Sequence, residues 1–155
     1  MIVDNEVIKM RNYNSCYTYF KIVGDFNPAE VSSVLGIEAE KSWRIGDERM
    51  DGSRYDFALW ETGRCNDYDI EVANQMRKTI ASLIDKIDLL NKIRQEYDVS
   101  FYLEIVPTVY AEDSAPCLAP TLDVIDFCYA TRTEIDIDMY VMDSSDDINE
   151  DETDR

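Results

Sequence analysis

The sequence predicts an α+β fold: a ferredoxin-like sandwich in the order β-α-β-β-α-β with an added α-β unit, a mostly antiparallel sheet, and helices on one sheet face. Three observations predict it: strand-like and helix-like segments alternate, the helical period is clearest mid-chain, and the last apolar segment alternates with acids. The 155 residues are expected to form one domain over 1–142, followed by an acidic disordered tail over 143–155.

The first strand and the first helix have the clearest local signals. Residues 15–23 are rich in the β-branched and aromatic side chains that favour a strand. Asn27 is placed to cap a helix whose first position is Pro28, and Glu30 completes a capping box. Gly36 is placed to end this helix in a left-handed conformation.

Two strands are predicted between the helices. Residues 41–47 contain a short strand that leads into a polar turn, and residues 55–62 form a clearer one. In the second strand, Phe57 and Leu59 lie on one face and Trp60 lies on the other.

The long helix is predicted from an apolar stripe. Apolar residues recur every three or four positions from Val72 to Leu90, which indicates one continuous helix reaching the mid-nineties. Either Asp67 or Asp69 is placed to cap its start.

The pattern in the last third of the sequence predicts a strand over 99–110, a short helix over 121–130 and a strand over 133–142. Along the last strand, the inward positions are expected to be Ile135, Ile137 and Met139, and the outward ones Glu134, Asp136 and Asp138.

Helices on one side leave the other sheet face partly exposed, and this face is the candidate binding surface. Its expected partner-binding residues are Tyr17, Tyr19, Trp60, Tyr102, Glu104, Glu134, Asp136 and Asp138. Tyrosine and tryptophan are favoured at interface centres, and carboxylates attract a basic partner. Two alternatives stay open: the face is a homodimer interface, or the acids only protect an edge strand from pairing.

The charge of the chain narrows the class of partner. The formal net charge is −18, of which residues 143–155 contribute seven acids and one base. Nucleic acid and anionic membrane surfaces are disfavoured as direct ligands, because binding them requires clustered Lys and Arg. A basic protein is the expected partner, although acidity that serves only solubility is the competing interpretation.

Histidine- and cysteine-based catalytic and metal-binding patterns are missing from the sequence. The Asp-x-Asp spacing of Asp136 and Asp138 could hold Mg²⁺ or Ca²⁺, but acids that protect an edge strand are the favoured interpretation of it. The chain has no histidine, which excludes histidine-dependent triads, and its four cysteines form no C-x-x-C pair. We therefore expect no enzymatic activity, no metal site and no cofactor. The cysteines fit free thiols in a reducing compartment, and the acidic start is unlike a signal peptide, so a cytoplasmic location is expected.

Trp43, Arg44 and Asp47 form the one segment that suggests a small-ligand site. An aromatic ring, a planar cation and a tight turn at Gly46 can hold a small anion. The structural alternative has Trp43 packing on the core and Arg44 paired with Asp47 or another nearby carboxylate.

Several segments together resemble a known family. They are Gly24-Asp25-Phe26-Asn27-Pro28, Leu35-Gly36-Ile37, Lys41-Ser42-Trp43-Arg44-Ile45-Gly46-Asp47 and Glu134-Ile135-Asp136-Ile137-Asp138-Met139-Tyr140. In this order they resemble the bacterial domain-of-unknown-function family 4279 over residues 15–142. The resemblance implies the fold and a bacterial or phage origin, and it assigns no catalytic residue.

Three functional hypotheses follow. The first is a bacterial immunity protein that neutralises a basic, nuclease-like toxin. The second is a phage anti-defence protein that mimics the charge of nucleic acid. The third is an enzyme or small-ligand sensor built around Trp43, Arg44 and Asp47.

Overall fold

Strand β1 (Ser15–Asp25) is central to the sheet in the computed structural model, which describes residues 12–143. Its side chains alternate between buried and half-buried, as expected for a strand with one face against the helices. Cys16, Phe20 and Ile22 belong to the hydrophobic core. The strand predicted over residues 15–23 is confirmed.

Helix α1 (Pro28–Leu35) begins and ends where its capping residues predict. The Asn27 side chain accepts a hydrogen bond from the Ala29 N–H at 3.1 Å, and Gly36 has φ 64°. The predicted capping box is wrong, because the Glu30 carboxylate accepts a hydrogen bond from the Tyr97 hydroxyl at 2.5 Å. Glu30 therefore links two elements instead of closing its own helix.

Strand β2 (Lys41–Trp43) is the short strand predicted there, and it pairs antiparallel with β3 (Ala58–Glu61), which is shorter than predicted. β3 pairs antiparallel with β1 in a register that places Ile22 opposite Trp60. Opposite residues in neighbouring strands share a sheet face, so Trp60 lies on the helix side with Ile22. The prediction that Trp60 lines the exposed face is wrong, since its side chain is fully buried.

The predicted long helix is two helices, α2 (Ala73–Ile80) and α3 (Ile87–Glu96). Val72 occupies the N-cap position of α2, so neither predicted aspartate caps it. Turns between the helices bury Leu83 while leaving Ile84 46% exposed. This break lets α2 pack on β1 while α3 packs on α1 and on the strand that follows it.

The last third contains strand β4 (Asp98–Tyr110), helix α4 (Leu122–Thr131), strand β5 (Thr133–Ile137) and strand β6 (Tyr140–Met142). The β4 strand and the α4 helix match the prediction. The strand expected over 133–142 is interrupted, although both of its pieces pair parallel with β4.

Pro107 explains this interruption. The Ile105 carbonyl accepts a hydrogen bond from the Asp138 N–H at 2.9 Å, so the backbone groups of Ile105 point toward β5. Pro107 is two residues further along the same strand and points the same way, but it has no N–H to donate. The parallel ladder stops there and resumes at the pair Thr108 and Tyr140.

The apolar side chains that were predicted to point inward on the last strand are less buried than expected. Ile135, Ile137 and Met139 are 36%, 44% and 46% exposed. Ile135 and Ile137 are in register with Leu103 and Ile105 of β4 and so lie on the helix side. They stay exposed because β5 ends the sheet, with no further strand beyond it among residues 12–143.

The sheet order is β2-β3-β1-β4-β5, with β6 also paired to β4. All pairs are antiparallel except those of β5 and β6 with β4. The predicted α+β class and the mostly antiparallel sheet are confirmed, whereas the order of the six strands differs from that of a ferredoxin-like sheet. Over residues 12–143, no helix is both long and apolar enough to cross a membrane. The predicted tail lies outside these residues except for Asp143.

Candidate partner-binding face of the sheet

The sheet face opposite the helices, here called the open face, is defined by the strand register. Alternate residues of each strand point to it, beginning with Tyr17, Tyr19 and Lys21 of β1. Its other members are Val23, Lys41, Trp43, Leu59, Glu61, Ser100, Tyr102, Glu104, Val106, Glu134 and Asp136. The face is therefore rich in aromatic rings and carboxylates, as predicted, and it also carries lysines.

Two tyrosines form an aromatic stack at the β1 end of the open face. The Tyr17 and Tyr19 rings are 6.1 Å apart with an interplanar angle of 21°. The Arg64 guanidinium lies 4.2 Å from the Tyr17 ring centroid, a cation–π distance. Burial raises the pKa of Tyr19 to about 12, with further upward contributions from Glu104 and Glu61. Tyr19 therefore remains a neutral hydrogen-bonding phenol at physiological pH.

Lys21 and Glu104 form an ion pair at the middle of the open face. The Glu104 side chain is only 5% exposed, whereas that of Lys21 is 24% exposed. The Lys21 ammonium also lies 5.1 Å from the centroid of the Tyr102 ring. Glu104 lies on the predicted face, but its charge is compensated by Lys21 of the same chain. This leaves Tyr102 and the lysine as the accessible groups at this point.

Glu61 is a buried carboxylate next to this pair. Burial raises its pKa above the ordinary value, opposed by the nearby cations Lys41, Arg64 and Lys21. The residue is 7% exposed. The cations are required here, because a carboxylate removed from water is costly without compensating charge.

Trp43 belongs to an aromatic cluster at the β2 end of the face. Its ring stacks on Tyr55 at 4.0 Å and 14°, and its indole N–H donates to the Phe57 carbonyl at 3.0 Å. Lys41 lies 5.2 Å from the Trp43 centroid. A shallow pocket of about 460 Å³ extends from these rings to Tyr19 and other members of the open face.

Arg44 and Asp47 serve the turn that follows β2. The Asp47 carboxylate accepts a hydrogen bond from the Arg44 backbone N–H at 2.8 Å, and the Arg44 guanidinium donates to Asn27 Oδ1 at 2.8 Å. Both side chains are exposed and tie the turn to the start of α1. The structure thus separates Trp43, which faces the pocket, from its two sequence neighbours.

The acidic edge of the open face consists of Glu134 and Asp136, with Asp138 just beyond the strand. Glu134 is in register with Tyr102, and Asp136 with Glu104. Both are exposed, and within the described part of the chain neither takes part in a salt bridge. Asp138 accepts a hydrogen bond from the Tyr140 hydroxyl at 3.0 Å. Glu134 and Asp136 are the carboxylates available to a partner.

One predicted site residue is absent from this face, and several members were missed. Trp60 donates its indole N–H to the Ser32 hydroxyl beneath the helices. Glu61 and Leu59 take its place, because β3 follows the register of β1 with Lys21 opposite Glu61. The alternation of β3 contained this signal, but it did not say which of the two faces was covered. No sequence pattern indicated Arg64, which lies in a loop.

Two of the four cysteines, Cys16 and Cys128, are buried. Burial raises the pKa of the Cys16 and Cys128 thiols to about 11 each, which makes them poor nucleophiles. Among residues 12–143, no group of three or more cysteine or carboxylate side chains is arranged to hold a metal ion. The open face offers stacking surfaces, charges and hydrogen-bonding tips, which are the means of binding.

Comparison with known proteins places this architecture in a family. A family profile matches residues 14–142, from one residue before β1 to the last residue of β6. The chain belongs to that family, described as Domain of unknown function (DUF4279). The DUF4279 match includes every strand that contributes to the open face, as the sequence resemblance implied. A search of curated proteins and a search of solved structures each found no match.

Proposed function

We propose that this DUF4279 protein is a non-catalytic binding protein that neutralises a basic, nuclease-like bacterial toxin in the cytoplasm. The observation that carries the proposal is the open face, where half-buried tyrosine rings lie beside the exposed carboxylates Glu134 and Asp136. A basic protein surface matches both features, because arginine pairs with carboxylates and stacks on aromatic rings.

The open face offers tyrosine rings that can anchor a partner and, along its β5 margin, exposed carboxylates. Tyr17, Tyr19 and Tyr102 offer rigid rings with polar tips, which suits them to the centre of an interface. Glu134 and Asp136 lie at one margin, where exposed charges mainly speed encounter. With a net charge of −18, the chain should attract a basic toxin at a rate raised about 10- to 1,000-fold at low salt.

Protection from growth arrest tests the proposal directly. The toxin gene to be tested is the gene adjacent to that of this protein, and its product is expressed with and without the chain. We expect the wild type to restore growth and a Glu134→Gln/Asp136→Asn variant to protect measurably less well. The matched control is Asp85→Asn/Asp88→Asn, which removes two exposed acids from the helix layer and should protect as well as the wild type.

The outcomes separate the hypotheses. If the wild type gives no protection, the immunity proposal fails. Inhibition of several unrelated nucleic-acid-binding proteins by the same chain would instead favour the phage mimic of nucleic acid. Equal loss of protection by both double variants would show that overall charge, and not the open face, is responsible.

A second candidate function is the binding of a small anion with a planar ring. It is favoured by the pocket at Trp43, where Lys41 and Arg64 provide cations beside the exposed side of the aromatic cluster. A panel of nucleotides and aromatic acids in a thermal-shift assay tests it, because a ligand that binds only the folded state raises Tm. A shift abolished by Trp43→Leu would support this function, whereas a panel without shifts would contradict it.

The proposal also includes the topology of the fold. We propose that β1 to β4 with α1 to α3 form a ferredoxin-like unit, supported by the order β2-β3-β1-β4 and its antiparallel pairs. An experimental structure with another strand order would contradict it.

The cytoplasmic location is supported by four cysteines that are free thiols, two of them buried.

A further inference from the structure

The outer edge of β5 is open for pairing. Because the Asp138 N–H donates to Ile105 of β4, and backbone direction alternates along a strand, the groups of Glu134 and Asp136 also point toward β4. The backbone groups of Thr133, Ile135 and Ile137 therefore point away from the sheet. Within residues 12–143, β5 is the last strand in the order. Such an edge is a template for an added strand.

An apolar groove runs beneath this edge on the helix side. Ile135 and Ile137 are 36% and 44% exposed there, and α4 contributes Ile125 and Tyr129, which are 43% and 86% exposed. Ile135, Ile125 and Tyr129 line a shallow groove of about 780 Å³ there, together with Cys128, Ala130, Arg132, Thr133 and Glu134. A strand added to β5 would place every second side chain in this groove, because side chains alternate between the faces of a sheet.

The charges along the edge decide which strand fits. On the open face the edge carries Glu134 and Asp136, both exposed. A second copy pairing antiparallel about Ile135 would set Glu134 opposite Asp136, and pairing about Asp136 would set that residue opposite itself. Like charges directly opposite each other destabilise a pair of strands. The edge therefore disfavours a second copy.

We infer that the β5 edge binds, as an added strand, an extended segment of the partner protein in which lysine or arginine alternates with apolar residues. The basic side chains meet Glu134 and Asp136 on the open face, and the apolar ones enter the groove beside Ile125 and Tyr129. β5 has five residues, so about five residues of the partner are matched. The inference rests on the proposed function, for which it specifies the chemistry and the geometry of the partner.

Synthetic peptides test the edge before the partner is known. The probe is a fluorescent seven-residue peptide that alternates lysine with isoleucine, and its control has the same composition with the lysines grouped together. We expect the alternating peptide to bind at least about tenfold more tightly in fluorescence anisotropy. Equal affinity for both peptides would overturn the inference, because general charge attraction would then explain the binding.

Two pairs of variants locate the binding on the edge. Ile135→Pro removes an outward N–H without touching the ladder to β4, and Ile135→Val keeps that N–H. Glu134→Lys/Asp136→Lys reverses the charges, and Asp85→Lys/Asp88→Lys makes the same change on the helix layer. We expect the proline and the edge-charge variants to lose at least about tenfold in affinity, and the two controls to bind like the wild type. Circular dichroism checks that each variant is folded.

The remaining outcomes separate this inference from the proposed function. If Ile135→Pro is folded and protects cells as well as the wild type does, the edge inference is overturned while the proposed function stands. If the wild type binds the alternating peptide but does not protect cells, the proposed function fails, whereas the β5 edge is still shown to bind a strand that alternates basic and apolar residues. A concentration-dependent dimer that Ile135→Pro abolishes in sedimentation would assign the edge to a second copy and overturn the inference.

Discussion

The indole N–H of Trp60 donates a hydrogen bond to the Ser32 hydroxyl at 2.9 Å, joining the fully buried β3 ring to α1. The bond gives the buried indole the polar partner that it needs. It also fixes the orientation of β3, because the residues on either side of Trp60 must then point to the open face.

Removal of that acceptor should destabilise the fold. Ser32→Ala leaves the indole N–H of Trp60 unpaired in the core, at a cost of about 1–3 kcal/mol. Urea unfolding followed by tryptophan fluorescence measures the loss. Ser33→Ala is the matched control, because Ser33 is the exposed neighbour on the same helix, and it should change stability by less than about 0.5 kcal/mol. Equal effects of the two variants would contradict the role of this bond.

The ion pair between Lys21 and Glu104 should show strong coupling. Lys21→Met leaves a buried carboxylate without its cation and should cost about 1–3 kcal/mol. The double variant Lys21→Met/Glu104→Gln should recover part of that loss, since no uncompensated charge remains. A double-mutant cycle in urea measures the coupling energy, with Lys92→Met as the single-variant control, because Lys92 is an exposed lysine paired with the exposed Glu96. Strictly additive effects would show that the pair contributes nothing.

Stability should depend on pH through Glu61. Because burial raises the pKa of its carboxyl, the folded state binds the proton more tightly than the unfolded state does. The stability that Glu61 contributes is complete below its unfolded pKa and is lost as the pH rises through its folded pKa. Glu61→Gln cannot ionise, so its Tm relative to the wild type should increase from pH 4 to pH 7.

The exposed neighbour of Glu61 provides the control. Glu40→Gln removes the charge of an exposed carboxylate, and its Tm should differ from that of the wild type by less than the Tm of Glu61→Gln does at pH 7. Thermal unfolding at several pH values measures both variants. A Glu61→Gln protein that is no more stable than the wild type at pH 7 would show that Lys41 and Arg64 fully compensate the buried charge.

Gly24 should tolerate no side chain. Its φ is 154°, and a Cβ there would lie 2.1 Å from the Asp98 carbonyl oxygen and 2.9 Å from the Val99 Cα. Gly24→Ala must therefore separate β1 from β4, and we expect a loss of more than about 3 kcal/mol or failure to fold. Gly52→Ala is the control, because φ is 82° there with open space around it, and it should cost about 1–2 kcal/mol.

The four thiols should react in an order set by burial. Burial raises the pKa of Cys16 and Cys128 to about 11, so about one thiol in a thousand is ionised at pH 8. Cys117 is exposed and should be alkylated first by iodoacetamide, followed by the half-buried Cys65. Peptide mass spectrometry over time measures the order. Rapid labelling of Cys16 without urea would contradict the packing of β1 against α2.

Elements with local signals could be predicted from the sequence. Asn27, Pro28 and Gly36 specify where α1 begins and ends, because capping acts within one helical turn. The β-forming residues of β1 and the alternation in β4 predicted these two strands. In the last strand, acids at even positions from Glu134 alternate with apolar residues at odd positions, which assigned them to opposite faces. The same local patterns identified Tyr17, Tyr19 and Tyr102 as residues of one face.

Features that depend on neighbouring elements could not be predicted from local patterns. Alternation shows that Leu59 and Trp60 lie on opposite faces, but only pairing with β1 and contact with Ser32 determine which face the helices cover. The break between α2 and α3 and the break opposite Pro107 likewise arise from packing on β1, α1 and β4. Local periodicity shows which residues of a segment share a face. Which face is buried, and which residues pair with it, depends on the neighbouring strand or helix. These tertiary contacts therefore determine which residues form the open face.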